Sequence, residues 1–147
     1  MIKILFVCHG NICRSPMAEY IFKYLAKEAG CEELFVTASA ATSTEEIGND
    51  IYPPAKHTLR AHGIPFERHY ARQITKSDLS DYDRILVMER YNLTNMIRRF
   101  GADACKNVTL LLECDVSDPW YTDDFETAYR DIEEGCRALL NDLTGNG

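Results

Sequence analysis

The run Ile2 to Val7, apolar apart from Lys3, ends on Cys8-His9-Gly10-Asn11-Ile12-Cys13-Arg14-Ser15, and Pro16 follows. This segment constrains the fold more than any other. A short apolar run suits a central strand buried on both faces. Ser15-Pro16 then opens a helix, since Ser can cap and Pro fits the first turn. Met17, Ile21, Tyr24 and Leu25 continue it at helical spacing. A strand, a loop and a helix in that order put the loop at the carboxyl end of a strand, where open α/β sheets bind ligands.

The alternation continues down the chain. Leu34 to Ala38 is a second strand; Pro54 opens a helix through Ala61, stopped at His62-Gly63; Arg84 to Met88 is a third strand. A helix from about Asn92 to Phe100 precedes a fourth strand, Val108 to Leu112. Residues 123 to 143 form a closing amphipathic helix with Phe125, Tyr129, Ile132 and Leu139 on its apolar side. Strands alternating with helices imply a parallel sheet covered by helices. A length of 147 residues, with no repeat, linker or low-complexity tract, implies one domain over 1–147.

The net charge of −7 argues against a nucleic-acid partner, which clustered Lys and Arg would have to hold. It does not exclude a small phosphorylated substrate, because a local pocket can be positive on an acidic protein. No stretch approaches the roughly 20 apolar residues that span a bilayer, and the apolar run after Met1 is too short for an export signal. The expected location is cytoplasmic, with no membrane partner. The six cysteines then read as reduced thiols, with Cys31, Cys105, Cys114 and Cys136 expected as buried small hydrophobes.

The loop between strand and helix points successive N–H groups inward, and the helix adds its positive end. A concave ring of donors suits a phosphate dianion. Amide dipoles, the helix terminus and Arg14 favour the thiolate of Cys8, which is the nucleophilic form. Arg14 can reach back and grip two phosphate oxygens with its planar fork. The Ser15 hydroxyl can hydrogen-bond the Cys8 sulfur. Gly10 permits a conformation or an approach closed to a side chain, and Asn11 can brace the loop or turn left-handed. A bare C-x5-R is weak, and Cys8, His9 and Cys13 could begin a metal site. Structural zinc sites, however, use tighter cysteine spacing and a partner cluster that the chain lacks. Neither GxxxxGK[ST] nor GxGxxG occurs.

Asp118-Pro119-Trp120-Tyr121 is the other notable segment, since Pro119 biases Asp118 away from helix. On composition alone, a turn followed by core aromatics is the better reading.

Val7 to Pro16 resembles the signature of the low-molecular-weight protein tyrosine phosphatases, in their bacterial-type form. Ser39-Ala40-Ala41-Thr42-Ser43, Ile47-Gly48-Asn49, His62-Gly63-Ile64, Ala71-Arg72-Gln73-Ile74-Thr75 and Asp118-Pro119-Trp120 resemble the family in order and spacing. The resemblance implies a single-domain three-layer α/β sandwich, with a four-stranded parallel sheet in order 2-1-3-4 and helices on both faces. It implies hydrolysis of phosphotyrosine through a phosphocysteine on Cys8, with Arg14 binding phosphate and Asp118 as general acid and base. His9, Gly10, Asn11, Ile12, Cys13, Ser15, Trp120 and Tyr121 become substrate-binding residues, the last two forming a wall against an aromatic ring. Asn11 and Ser39 become loop supports; His62 and Arg72 are structural. No cofactor and no metal are implied. The partners are phosphotyrosine-containing proteins, tyrosine kinases among them, and inorganic phosphate is the product. In this family the second loop cysteine, here Cys13, can pair reversibly with the nucleophile under oxidation.

The family often has Asp after the third strand, where this chain has Met88-Glu89, so no supporting carboxylate is carried over to that position. Glu45, Glu46, Asp123 and Asp124 are expected at the pocket rim. Three other functions share the loop. Arsenate reductases of this kind need cysteines after the third strand, and residues 76 to 100 contain none. Protein-arginine phosphatases usually have Thr where Ile12 stands, and the bulkier Ile12 favours a flat ring over a guanidinium. A non-catalytic phosphate-binding module typically loses the cysteine, the arginine or the acid, and all three are present.

Overall fold

The computed structural model describes residues 1–145. Its elements run β1 (Ile2–Cys8), α1 (Arg14–Glu28), β2 (Phe35–Ala41), α2 (Pro53–Ala61), α3 (Lys76–Asp81), β3 (Arg84–Val87), α4 (Arg90–Phe100), β4 (Val108–Leu110), α5 (Pro119–Thr122) and α6 (Phe125–Thr144). The four strands form one parallel sheet in the order β2-β1-β3-β4.

The period-2 alternation of a strand sorts β1 between two cores. Ile4, Phe6 and Cys8 face the larger one, with Met17, Ile21 and Phe22 of α1 and Ile132, Cys136 and Leu139 of α6. Leu5 and Val7 face the smaller one, with Met96 of α4, Ile74, Cys105 and Val108. β1 is therefore apolar on both faces because both faces are covered. The chain leaves β1 for β2 on one side and later returns to β3 on the other, so the carboxyl end of β1 lies at a topological switch point.

Several boundaries differ from expectation for tertiary reasons. β2 extends to Ala41 because it pairs with the whole of β1, Ile2 with Phe35 through Cys8 with Ala41, while Leu34 ends a short 3-10 turn and is exposed. β3 and β4 stop at Val87 and Leu110. Proline enters α2 one residue early, at Pro53. α4 begins at Arg90, because Asn92 Oδ1 accepts from the amides of Met88 and Glu89 and sets the turn there. α3, absent from the sequence reading, is set by Thr75 and Asp78 bonding each other's backbone N–H. Asp123 is left-handed (φ 59°), so α6 starts only after Asp124 caps it. Cys13, not Ser15, precedes α1, and no side chain caps that helix. All six cysteines are free thiols. Cys105 and Cys136 are buried, but Cys31 is half-buried and Cys114 is exposed, contrary to the expectation of four buried ones.

Candidate active site

The loop from Cys8 to Ser15 is fixed from outside by its carbonyls. Those of Cys8, His9, Ile12 and Cys13 accept from the amides of Thr42 (2.9 Å), Ser43 (3.0 Å), Tyr52 (2.9 Å) and Met17 (3.1 Å). The Asn11 carbonyl accepts from the His69 ring Nε2 at 2.7 Å. With the carbonyls turned outward, amides turn inward: Asn11 N–H and Ser15 N–H donate to Cys8 Sγ at 3.3 and 3.4 Å. The loop therefore aims donors at the sulfur and at any oxyanion bonded to it.

Asn11 is the left-handed residue of the loop, at φ 60°, and its polar groups are all tied. Besides the two bonds above, its Nδ2 donates to Ser15 Oγ (2.8 Å) and its Oδ1 accepts from Arg72 N–H (3.2 Å). Four bonds hold a conformation that costs most side chains energy. The left-handed turn was expected of Asn11; Gly10, expected to permit a special conformation or a close approach, is not at positive φ, and a Cβ there would meet Glu46 Cγ at 3.4 Å. Ser15 Oγ accepts from Asn11 Nδ2, and its own hydrogen has two acceptors in reach, Cys8 Sγ at 3.0 Å and the Ala40 carbonyl at 3.4 Å.

His69 is nearly buried, and burial lowers its pKa against the opposing pull of the Asn11 carbonyl, so the neutral ring donates from Nε2. Its own backbone N–H donates to Asp50 Oδ1 (2.9 Å), and Asp50 also holds Lys56 and Arg68. Burial opposes the charge on Asp50, but the bonds from Lys56, the His69 and Ile51 amides and Arg68 win and hold its pKa well below the usual carboxylate range.

Arg14, only 1% exposed, reaches from the first turn of α1 across the site. One arm of its guanidinium donates to the Val116 carbonyl (2.9 Å); the other meets Glu89 Oε1 (3.1 Å) and Asp118 Oδ2 (3.2 Å). Burial works against its charge, but Cys8, Asp118 and Glu89 outweigh it and raise the pKa. Glu89 thus supplies the carboxylate after β3 that the sequence left unassigned. Asp118 has extended backbone ahead of Pro119, as expected. Its other oxygen accepts from Trp120 N–H at 3.1 Å.

These groups converge on a cavity of about 100 Å³ lined by Cys8, His9, Gly10, Ile12, Cys13, Arg14, Glu45, Glu46, Asp118, Trp120 and Tyr121. Cys8 is buried at its floor, while Trp120 and Tyr121 stand exposed at its mouth. Burial, then Cys8 and Asp118, push the Cys13 thiol up, so it stays protonated. His9 pairs with Glu45 at the rim (3.1 Å). Among the described residues, no group of three or more His, Cys, Asp or Glu is placed to hold a metal ion.

The family model described as "Low molecular weight phosphotyrosine protein phosphatase" matches residues 3–147. The chain belongs to this family. The low molecular weight protein-tyrosine-phosphatase YfkJ of Bacillus subtilis is 40% identical over 95% of this chain and 94% of its own length. The human low molecular weight phosphotyrosine protein phosphatase is 42% identical over 94% of this chain and 93% of its own. The crystal structure of YfkJ superposes with a TM-score of 0.95 at 38% identity, covering 99% of this chain and 96% of that one. The sheet order 2-1-3-4 of this phosphatase-family chain is the one the resemblance implied.

Not every expected residue of this family member reaches the site. The Ser39 hydroxyl donates to Glu19 Oε1 at 2.7 Å and not to the loop. Asp123 and Asp124 do not line the cavity; Asp124 caps α6. Glu45 and Glu46 do line it. His62 stacks on Tyr129 (3.8 Å) and Arg72 pairs with Asp78 (2.9 Å), both as structural groups. The sequence reading missed His69, Glu89, Val116 and Tyr52. Only Glu89 left a trace, as the acidic residue following the third strand.

Proposed function

We propose that this chain, as one catalytic domain, is a cytoplasmic protein-tyrosine phosphatase that acts on phosphotyrosine-containing proteins, tyrosine kinases among them. The observation that carries this reading is the convergence of Cys8, Arg14 and Asp118 on one narrow cavity, with two amides directed at the Cys8 sulfur. Cys8 thiolate attacks phosphorus in line as the bond to the tyrosyl oxygen breaks. Arg14 and the loop amides hold the three equatorial oxygens, where charge develops. Asp118 gives its proton to the departing phenolate, then takes one from the water that attacks the phosphocysteine. The products are inorganic phosphate and the restored thiolate, whose departure the Ser15 hydroxyl eases. A buried Cys8 below an aromatic mouth favours a long aryl ester over the short stem of phosphoserine.

The test is turnover of phosphotyrosine, phosphoserine and phosphoarginine peptides by the wild type and by Cys8→Ser. Preferential hydrolysis of phosphotyrosine, abolished in Cys8→Ser, with phosphate trapped on Cys8, is the expected result. Preference for phosphoarginine would replace the substrate assignment, and no turnover of any peptide would overturn the enzymatic reading.

A further inference from the structure

Tyr52 is not among the residues that line the cavity, yet it connects the phosphate loop to the acid segment. Its backbone N–H donates to the Ile12 carbonyl at 2.9 Å, which fixes its position against the phosphate loop. Its ring lies between two others, with the Trp120 centroid at 4.8 Å and 54°, and that of Phe125 at 6.1 Å and 27°. Phe125 belongs to the buried core, whereas Trp120 is half exposed at the cavity mouth.

The segment that carries the acid needs such a support. α5 has four residues, too few to be stable by itself. Trp120 and Tyr121 are exposed, so the apolar anchors of the segment are Pro119 and whatever holds the inner face of the indole. The Trp120 N–H in turn donates to Asp118 Oδ1. The position of the indole is therefore linked to the orientation of the carboxyl group through a single residue.

We infer that Tyr52 is a positioning residue: its ring braces Trp120 from behind and so fixes the aim of the Asp118 carboxyl at the leaving oxygen. This rests on the phosphatase reading above. Proton donation matters for a poor leaving group and hardly at all for one that departs as a stable phenolate, so the leaving-group dependence reports on Tyr52.

The experiment measures kcat/KM on phenyl phosphate and on 2,4-dinitrophenyl phosphate, with vanadate inhibition, for the wild type, Tyr52→Ala, Tyr52→Leu and Tyr52→Phe. Tyr52→Leu keeps apolar volume against Phe125 and serves if the alanine variant does not fold. The expected result is a loss of about tenfold on phenyl phosphate, with dinitrophenyl phosphate and vanadate affinity within about twofold of wild type. Tyr52→Phe restores the wild-type ratio, because only the ring contacts Trp120. In a Trp120→Ala background the further change Tyr52→Ala has no added effect, as expected of two residues acting in series. An equal loss on both esters, a loss that persists without Trp120, or failure of Tyr52→Phe to restore the ratio would each overturn the inference while leaving the phosphatase reading intact. A wild type inactive on both esters would overturn both.

Discussion

The phosphate loop and the acid segment flank the same cavity but are built in opposite ways. The loop is interior: Cys8, Asn11, Arg14 and Ser15 are buried, and five outward carbonyls and all four polar groups of Asn11 are engaged. The acid segment is a single helical turn with exposed aromatics, joined to the rest by Asp118 to Arg14, Trp120 to Tyr52 and the buried Pro119. Oxyanion binding requires donors fixed before the ligand arrives, since reorganising them would consume the stabilisation they provide. In the proposed mechanism the acid serves first as donor and then as base, and the wall admits a ring, two roles that suit a segment with less support.

If that contrast is right, substitutions in the loop abolish binding and chemistry together, whereas those in the acid segment separate the two. After Cys8→Ser, the largest effect is expected for Arg14→Lys. It keeps the charge but loses the fork that spans Val116, Glu89 and Asp118, and kcat/KM should fall about 10³-fold with a matching loss of vanadate affinity. Retained vanadate affinity would show that binding does not depend on the fork. Next, Asp118→Asn should lower kcat/KM on phenyl phosphate about 10²-fold while vanadate affinity holds or rises, because a carboxylate beside Arg14 has been neutralised. Equal losses in both would erase the contrast.

A smaller effect is expected at His69, read through pH. Burial holds its folded pKa below the unfolded value of about 6.5. Below that pH the unfolded chain takes up a proton that the native ring resists, so stability is lost as pH falls. The melting temperature of the wild type should therefore drop more steeply from pH 7 to pH 5.5 than that of His69→Gln, whose amide can still donate to Asn11. Parallel profiles would show that His69 contributes nothing to the acid sensitivity. The smallest change is expected at the rim. Glu45→Lys should leave phenyl phosphate turnover within about twofold of wild type and raise kcat/KM on acidic phosphotyrosine peptides by a few-fold at low salt, with the gain disappearing in high salt.

The two regions were also unequally legible in the sequence. The loop from Cys8 to Arg14 could be read directly, because it is local: a strand, five linking residues and a helix suffice to close the ring. Asp118 was recognisable only through family resemblance, since an Asp-Pro pair before two aromatics is otherwise an ordinary turn. Ser39 was misplaced because its partner, Glu19, is on α1 and not on the loop. Asn11 was expected to brace the loop or to turn left-handed and does both, whereas Gly10 shows no positive φ; composition shows where a special φ is tolerated but not where hydrogen bonds impose it.

By itself, the sequence determined the alternation of strands and helices, and hence a parallel sheet, together with a cysteine loop suited to an oxyanion that holds Cys8 and Arg14, the proposed nucleophile and phosphate-binding residue. These depend on contacts between near neighbours in the chain. Only the tertiary structure decided what holds them: His69 on the Asn11 carbonyl from 58 positions away, Glu89 and Val116 on Arg14 from 75 and 102, and Tyr52 behind Trp120. A carbonyl or a guanidinium accepts many partners equally well, so the sequence carries no mark of which one the fold will bring.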